Sequence, residues 1–263
     1  MKDLFEKLLM AIVAALTFGA MGGEVKIADV ELAVEAKPLG GVQLWENGPY
    51  WAECNVGATQ PEEYGYYFWW GDTIGYSANT NGATWIDSTS GGYWDGVTWV
   101  SSKGDIMSSS PFSSSTCPTY DKTFEQLQSA GYIDSRRDLL PAHDAATAHL
   151  GVPWRMPTRN DVDELFSKCY MTWETCNGVW GLRVTGRGAY SSKGIFLPAA
   201  GHGQDLDAVL YHCGSFGYYW SSTHRSDGSQ AWNLYFYSGN IYCRDYTTYD
   251  LGFPVRPVRD SAQ

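Results

Sequence analysis

Lysine is scarce and unevenly placed. The chain of 263 residues holds 8, the last is Lys193, and from Gly194 onward there is no lysine, glutamate or methionine. Charged residues make up only 18% of the chain, against 15% aromatic and 44% hydrophobic, which excludes disorder for most of it and supplies a real core. The length fits one large domain or two small ones. Lys+Arg is 18 and Asp+Glu 29, a formal net charge of −11 that repels phosphate backbones, so no nucleic acid is expected as a partner. Few Lys and Glu beside 29 Gly, 12 Trp and 18 Tyr point to strands and turns more than to helices. GxGxxG, P-loop, HExxH and GxSxG signatures are all missing, and no cofactor is expected.

Long hydrophobic runs are also missing, with one short exception. Leu8–Leu16, continuing through Thr17–Ala20, is too short to span a bilayer comfortably. Residues 1–22 read either as a signal peptide, with Ala20 and Gly22 at the −3 and −1 positions, or as an N-terminal helix. On that helix Phe5, Leu9, Ile12, Val13 and Leu16 would share one face. Residues 23–39 form a polar lead-in. The six cysteines, Cys54, Cys117, Cys169, Cys176, Cys213 and Cys243, contain no CxxC pair, which argues against a zinc knuckle or a thioredoxin-type site. Cys169 and Cys176 are either a local disulfide of an exported chain or buried free thiols.

From Gly40 the pattern is strand-like: Val42–Trp45, Tyr50–Ala52 and Tyr66–Trp70, with Asn47-Gly48 as a hairpin turn. Residues 71–120 read as a long irregular insertion pinned by Trp85, Trp94 and Trp99. Three short helices follow, capped by Thr123 with Gln126, by Asp144, and by Thr158; Gly131 and Gly151 end the first two. In the third, Val162, Leu165, Phe166 and Cys169 make one buried stripe. Strands return after Gly186. Trp232, Leu234 and Phe236 alternate with Asn233, Tyr235 and Tyr237, which places the first set in the core together with Trp220 and the second set opposite. The prolines of Phe253–Arg259 predict limited pairing for the last strand.

His143, His149, His202, His212 and His224 have no catalytic or ligand partner at a recognisable spacing and read as surface or turn histidines. Asp161, Asp163 and Glu164 complement a helix dipole. Asp205 and Asp207 are weak evidence for a cation site.

Several strings occur together in one order. They are Tyr50–Ala58, Tyr67–Asp72, Asp144–Ala148, Trp154–Thr158, Phe196–Gly201, Gly217–Thr223 and Gly252–Arg259. In this order they resemble the Fibrobacter-succinogenes major paralogous domain, a family abundant in Bacteroidetes, over residues 40–260. The resemblance implies an α+β, C-type lectin-like fold of the formylglycine-generating-enzyme type, with twisted antiparallel sheets and a few short helices. It brings the two ends of the domain together, Val42–Leu44 near Val255–Val258.

The C-terminal part, about 200–251, also looks like the variable region of a protein diversified by a retroelement. Randomised adenines in AAC codons yield Tyr, Ser, His, Arg, Asp, Cys, Phe, Leu and Gly, and never Lys, Glu, Gln, Met or Trp. The depletion after Lys193 agrees, although exposed hairpins also disfavour Lys and Glu. What the resemblance implies is a ligand-binding face of Tyr211, His212, Phe216, Tyr218, His224, Arg225, Asp227, Tyr235, Tyr237, Tyr242, Arg244, Asp245, Tyr246, Tyr249 and Asp250. Tyrosine presents a large contact area with few rotatable bonds and a polar tip, as in antibody paratopes. The expected function is non-enzymatic: a displayed binder of an unknown protein or glycan surface, an adhesin or a phage receptor-binding protein, exported to the cell surface or carried on a virion. The alternatives are a structural cell-envelope module and a formylglycine-generating-type enzyme. The copper-dependent members of that enzyme group use a cysteine pair, and no such pair can be placed here.

Overall fold

The computed structural model describes residues 40–79, 84–87, 92–94, 99–101, 110–204, 210–226 and 228–260; over 79–101 and 240–244 only the backbone is described. The readings on residues 1–39, on Asp205 and Asp207, and on Asp227 lie outside the described residues. Leu39–Gln263 forms one unit.

The described residues hold sixteen short strands: β1 (Gly41–Gln43), β2 (Tyr50–Ala52), β3 (Tyr67–Phe68), β4 (Tyr76–Asn79), β5 (Thr84–Asp87), β6 (Gly92–Trp94), β7 (Trp99–Ser101), β8 (Trp154–Arg155), β9 (Cys169–Cys176), β10 (Val179–Gly186), β11 (Gly194–Pro198), β12 (Phe216–His224), β13 (Gln230–Tyr237), β14 (Asn240–Thr248), β15 (Phe253–Pro254) and β16 (Val258–Arg259). Among the described residues three α-helices interrupt them: α1 (Phe124–Ser129), α2 (Ala145–Leu150) and α3 (Arg159–Lys168). All strand pairings between these elements are antiparallel. The described residues are therefore mostly antiparallel sheet with a few short helices.

The helices start where the sequence caps them. Thr123 and Thr158 each accept a hydrogen bond from the third helical backbone N–H, and Gln126 and Asp161 reach back to the cap backbone; Asp144 accepts from Thr147 N. Asp161 also binds Arg155 at 2.7 Å, which ties α3 to β8. Two expectations about regularity change. Residues 71–120 contain the strands β4 to β7, so the stretch is less irregular than its Ser, Thr and Gly content suggests. Residues 169–186 form the long β9–β10 hairpin, an element not expected from the sequence, with Asn177-Gly178 at its turn.

One four-stranded sheet has the order β1-β2-β16-β8, so the ends of the domain share a sheet, with β2 between the first strand and the last. Arg256 locks this closure. It is 1% exposed and donates to Asn55 Oδ1 (2.8 Å), Ala52 O (3.1 Å), Glu53 O (2.8 Å) and Phe196 O (2.9 Å). Every acceptor is neutral, and burial lowers the proton affinity of the guanidinium.

Two hydrophobic clusters flank the sheet β12-β13-β14. One joins Val162 and Leu165 of α3 to Leu182, Val184, Ile195, Leu197, Tyr219, Leu234 and Phe236. The other joins Trp70, Phe112, Leu127, Ala145, Trp220, Ala231, Tyr249 and Phe253. Cys54, Cys117, Cys169, Cys176 and Cys213 are free thiols. Cys169 faces Gly186 and Cys176 faces Val179 at opposite ends of one hairpin, so the first two cannot be bridged to each other.

Candidate functional site

The candidate site grows from the register of β12 and β13. Phe216 faces Tyr237, Tyr218 faces Tyr235, and Gly217 faces Phe236. Directly opposed residues share a face and neighbours alternate, so Phe216, Tyr218, Tyr235 and Tyr237 line one side while Tyr219, Leu234 and Phe236 fill the core on the other. Gly217 makes the pairing feasible. A Cβ there would lie 2.1 Å from Phe236 Cζ, so only glycine lets the Phe236 ring cross β12.

The outer row is continuous. Phe216 stacks on Tyr235 at 5.9 Å and packs 5.3 Å from Tyr237; Tyr218 lies 4.8 Å from Tyr235. His212, exposed at a turn, adds its ring 4.8 Å from Phe216. The row extends to His202, whose ring is 5.0 Å from Tyr218, 5.4 Å from His212 and 5.8 Å from Tyr211. His202 is fixed by its backbone: it exchanges hydrogen bonds with Tyr211 (3.0 and 2.8 Å), and Gly203 exchanges a pair with Gly252 at 2.9 Å each. Gly201 permits this close approach, because a Cβ there would meet Tyr211 O at 2.0 Å.

Beside the row, β13, β14 and the approach to β15 enclose a cleft of ≈ 200 Å³. His202, Tyr218, Asn233, Asp245 and Phe253 are among its lining residues. Asn233 faces Asp245 across the β13–β14 pairing. His202 Nδ1 and Asn233 Oδ1 are buried polar atoms without a hydrogen-bond partner. Desolvation, and to a smaller degree His212, lowers the pKa of His202. Burial, with the neighbouring Tyr235 hydroxyl, raises that of Tyr218.

Part of the expected face lies elsewhere. His224 and Tyr249 are buried, not exposed. Trp220 faces Asn233 and His224 faces Ala231, so β12 takes four steps where β13 takes two; the even excess keeps the parity, and His224 follows Trp220 inward. There His224 Nδ1 and the Tyr249 hydroxyl share a hydrogen bond, Tyr249 stacks on Trp70 at 4.7 Å, and His224 stacks on Phe124 at 6.0 Å. Desolvation, with a smaller contribution from Arg137, depresses the His224 pKa to about 4. The reading of His202 and His224 as surface or turn histidines is corrected by the same burial.

Tyr246 and Arg225 are accessible but on the other side of the sheet. Asn233 faces Asp245 and Tyr235 faces Tyr242, so β14 takes three steps against two, and the parity of its side chains changes at that point. Tyr246 then pairs with Trp232, its ring 5.8 Å away, while the Arg225 guanidinium lies 3.3 Å from the Tyr246 ring centre. Trp232 itself is half-buried, not fully buried as its alternation suggests, with the Arg159 guanidinium 3.8 Å above its ring. Asp250 is half-buried beyond β14. Tyr242 faces Tyr235 by backbone register, and Arg244 sits at the parity change; their side chains lie outside the described ones.

Residues 189–258 match the model of a domain of unknown function (DUF8237). No curated protein and no solved structure matches the chain. The matched stretch runs from just before β11 to the start of β16, and so holds the outer row, the cleft and the Arg256 anchor. Five lining residues of the cleft are not among the site residues expected from the sequence: His202, Asn233, Thr247, Leu251 and Phe253. Asn233 carried a usable signal, since strand alternation puts it on the side of Tyr235. Cys213 donates to Ala200 O at 3.2 Å, and burial pushes its thiol up to about 12, which leaves it a poor nucleophile.

Proposed function

We propose that the chain is a displayed recognition protein. In this reading it has a C-type lectin-like fold of the formylglycine-generating-enzyme type and belongs with the Fibrobacter-succinogenes major paralogous domains. It binds a protein or glycan surface from a cell surface or a virion, and its C-terminal face is diversified by a retroelement. One observation carries the reading: Phe216, Tyr218, Tyr235 and Tyr237 form a packed, half-exposed aromatic row on strands whose opposite face is core. Aromatic side chains held this way contribute contact area at little entropic cost, and such anchors dominate the energetics of interfaces.

Burial also sorts the candidate variable positions. Substitution at His224 or Tyr249 would disturb the Trp70 stack, whereas substitution at Tyr211, His212, Phe216, Tyr235 or Tyr237 spares the core. The test is sequencing of the locus in many isolates. The expected result is a nearby reverse transcriptase and a near-identical template repeat, with adenine-directed variation at codons 211, 212, 216, 235 and 237 and constancy at 224 and 249. Absence of a template repeat, or variation indifferent to burial, overturns the diversification reading.

A further inference from the structure

The cleft beside the aromatic row holds buried acceptors without a partner beside the hydroxyls of Tyr218 and Thr247. His202 Nε2 lies 3.3 Å from Gln204 Oε1, which can only accept, so Nε2 carries the proton and Nδ1 presents a lone pair. That Nδ1 has no partner, and His202 is 8% exposed. Asn233 Oδ1 is a second acceptor without a partner, on a side chain 2% exposed. Asp245, opposite Asn233 in register, is the third acceptor; one of its oxygens takes the Tyr246 N–H at 2.9 Å, which leaves the other for a ligand. Among the described residues lining the cleft, Asp245 alone carries a formal charge, and it is negative. Tyr218 and Phe253, stacked at 5.0 Å, supply aromatic surface. Buried acceptors left unpaired are costly, so a donor entering here recovers energy already lost in the free protein.

We propose that this cleft binds a guanidinium group, the end of an arginine side chain presented by the partner. The proposal rests on the recognition reading and names the chemistry that the site would seek. A guanidinium offers five donors in one plane and no acceptor, which complements three acceptors. Its charge pairs with Asp245, and its faces stack on Tyr218 or Phe253. A volume of ≈ 200 Å³ holds about six waters, enough for the planar group and the methylenes that carry it. The net charge of −11 favours the approach of a cation. A neutral sugar would leave the Asp245 charge unpaired.

The experiment titrates the full chain with N-acetyl-arginine amide and follows the His202 imidazole resonances by NMR. N-acetyl-citrulline amide, of the same shape without the charge, and a methyl glycoside serve as comparators. The expected result is saturable binding of the arginine amide that shifts His202, with the citrulline amide at least about tenfold weaker. Asp245→Asn, at a half-exposed position that leaves the core intact, should remove the preference. Equal binding of the citrulline amide, tighter binding of the glycoside, no binding of the arginine amide, or an unchanged preference in Asp245→Asn would overturn the proposal. None of those results touches the diversification reading, which the template repeat decides separately.

Discussion

Replacing Arg256 by Met tests whether the closure of the domain depends on a buried cation satisfied by neutral acceptors. Methionine fills much of the arginine stem, so the packing change alone is worth less than about 1.5 kcal/mol. What disappears is the fork that serves Asn55 Oδ1 and the carbonyls of Ala52, Glu53 and Phe196. Each charge-assisted bond contributes about 1.5 kcal/mol net, and relief of the buried charge returns a few kcal/mol of desolvation, which leaves a net loss of about 3–5 kcal/mol. For a domain of this size that corresponds to a drop in Tm of roughly 10–15 °C in a thermal scan by circular dichroism. Arg256→Lys keeps the charge but cannot span four acceptors on two segments, so it should fall between the two. A Tm within about 3 °C of the parent for the Met variant, or a Lys variant equal to the parent, would refute the reasoning.

Gly217→Ala should destabilise by about 1–3 kcal/mol in urea unfolding, because the new methyl meets the Phe236 ring and neither strand can yield without losing register. His224 should make stability fall as pH drops from 6.5 toward 4: its folded pKa, about 4, lies below the ordinary histidine value of 6.5, so the unfolded chain takes up the proton first. The loss reaches about 2–3 kcal/mol at the acid end, and His224→Gln should flatten that slope. The difference between the two proteins isolates His224 from Asp72, whose carboxyl is pushed up to about 6 by burial and shifts stability the opposite way. Replacing Tyr235, Tyr237 and Tyr242 together by Ser should lower stability by no more than about 2 kcal/mol and abolish retention on arrays of glycans and surface proteins that the parent recognises. Undiminished retention would remove the aromatic row from the binding surface.

The elements most legible in the sequence were those set by neighbours along the chain. Thr123, Asp144 and Thr158 announce their helices because a cap is satisfied within three residues. The alternation of β13 is legible for the same reason, and it placed Leu234 and Phe236 inside and Tyr235 outside. Positions governed by pairing were not legible. The extra residue in β14 before Asp245 leaves no mark on the local pattern, yet it decides that Tyr246 faces away from Tyr235, and His224 is buried by tertiary contacts with Tyr249 and Phe124. The β9–β10 hairpin escaped because its first strand is half-exposed throughout most of its length, so its polar and apolar residues do not separate cleanly. Tyr249 resembled its exposed neighbours in type, and only the tertiary stack on Trp70 distinguishes it.

The register of β12 with β13 has a consequence for how this protein can change. Adjacent residues on one strand answer to different demands: Phe236 to the interior, Tyr235 and Tyr237 to whatever lies outside. Point substitutions in the outer row therefore explore new specificities without drawing on the stability that the inner row maintains. A collection of such variants would melt together while adhering to different targets. Length changes carry no such protection. Deleting a single residue from the regular run of β13 opposite Phe216–Trp220 would exchange the two rows from there on, turning an interior side chain to solvent and a polar one inward. The strand pair tolerates new letters at fixed positions far better than it tolerates a shifted frame.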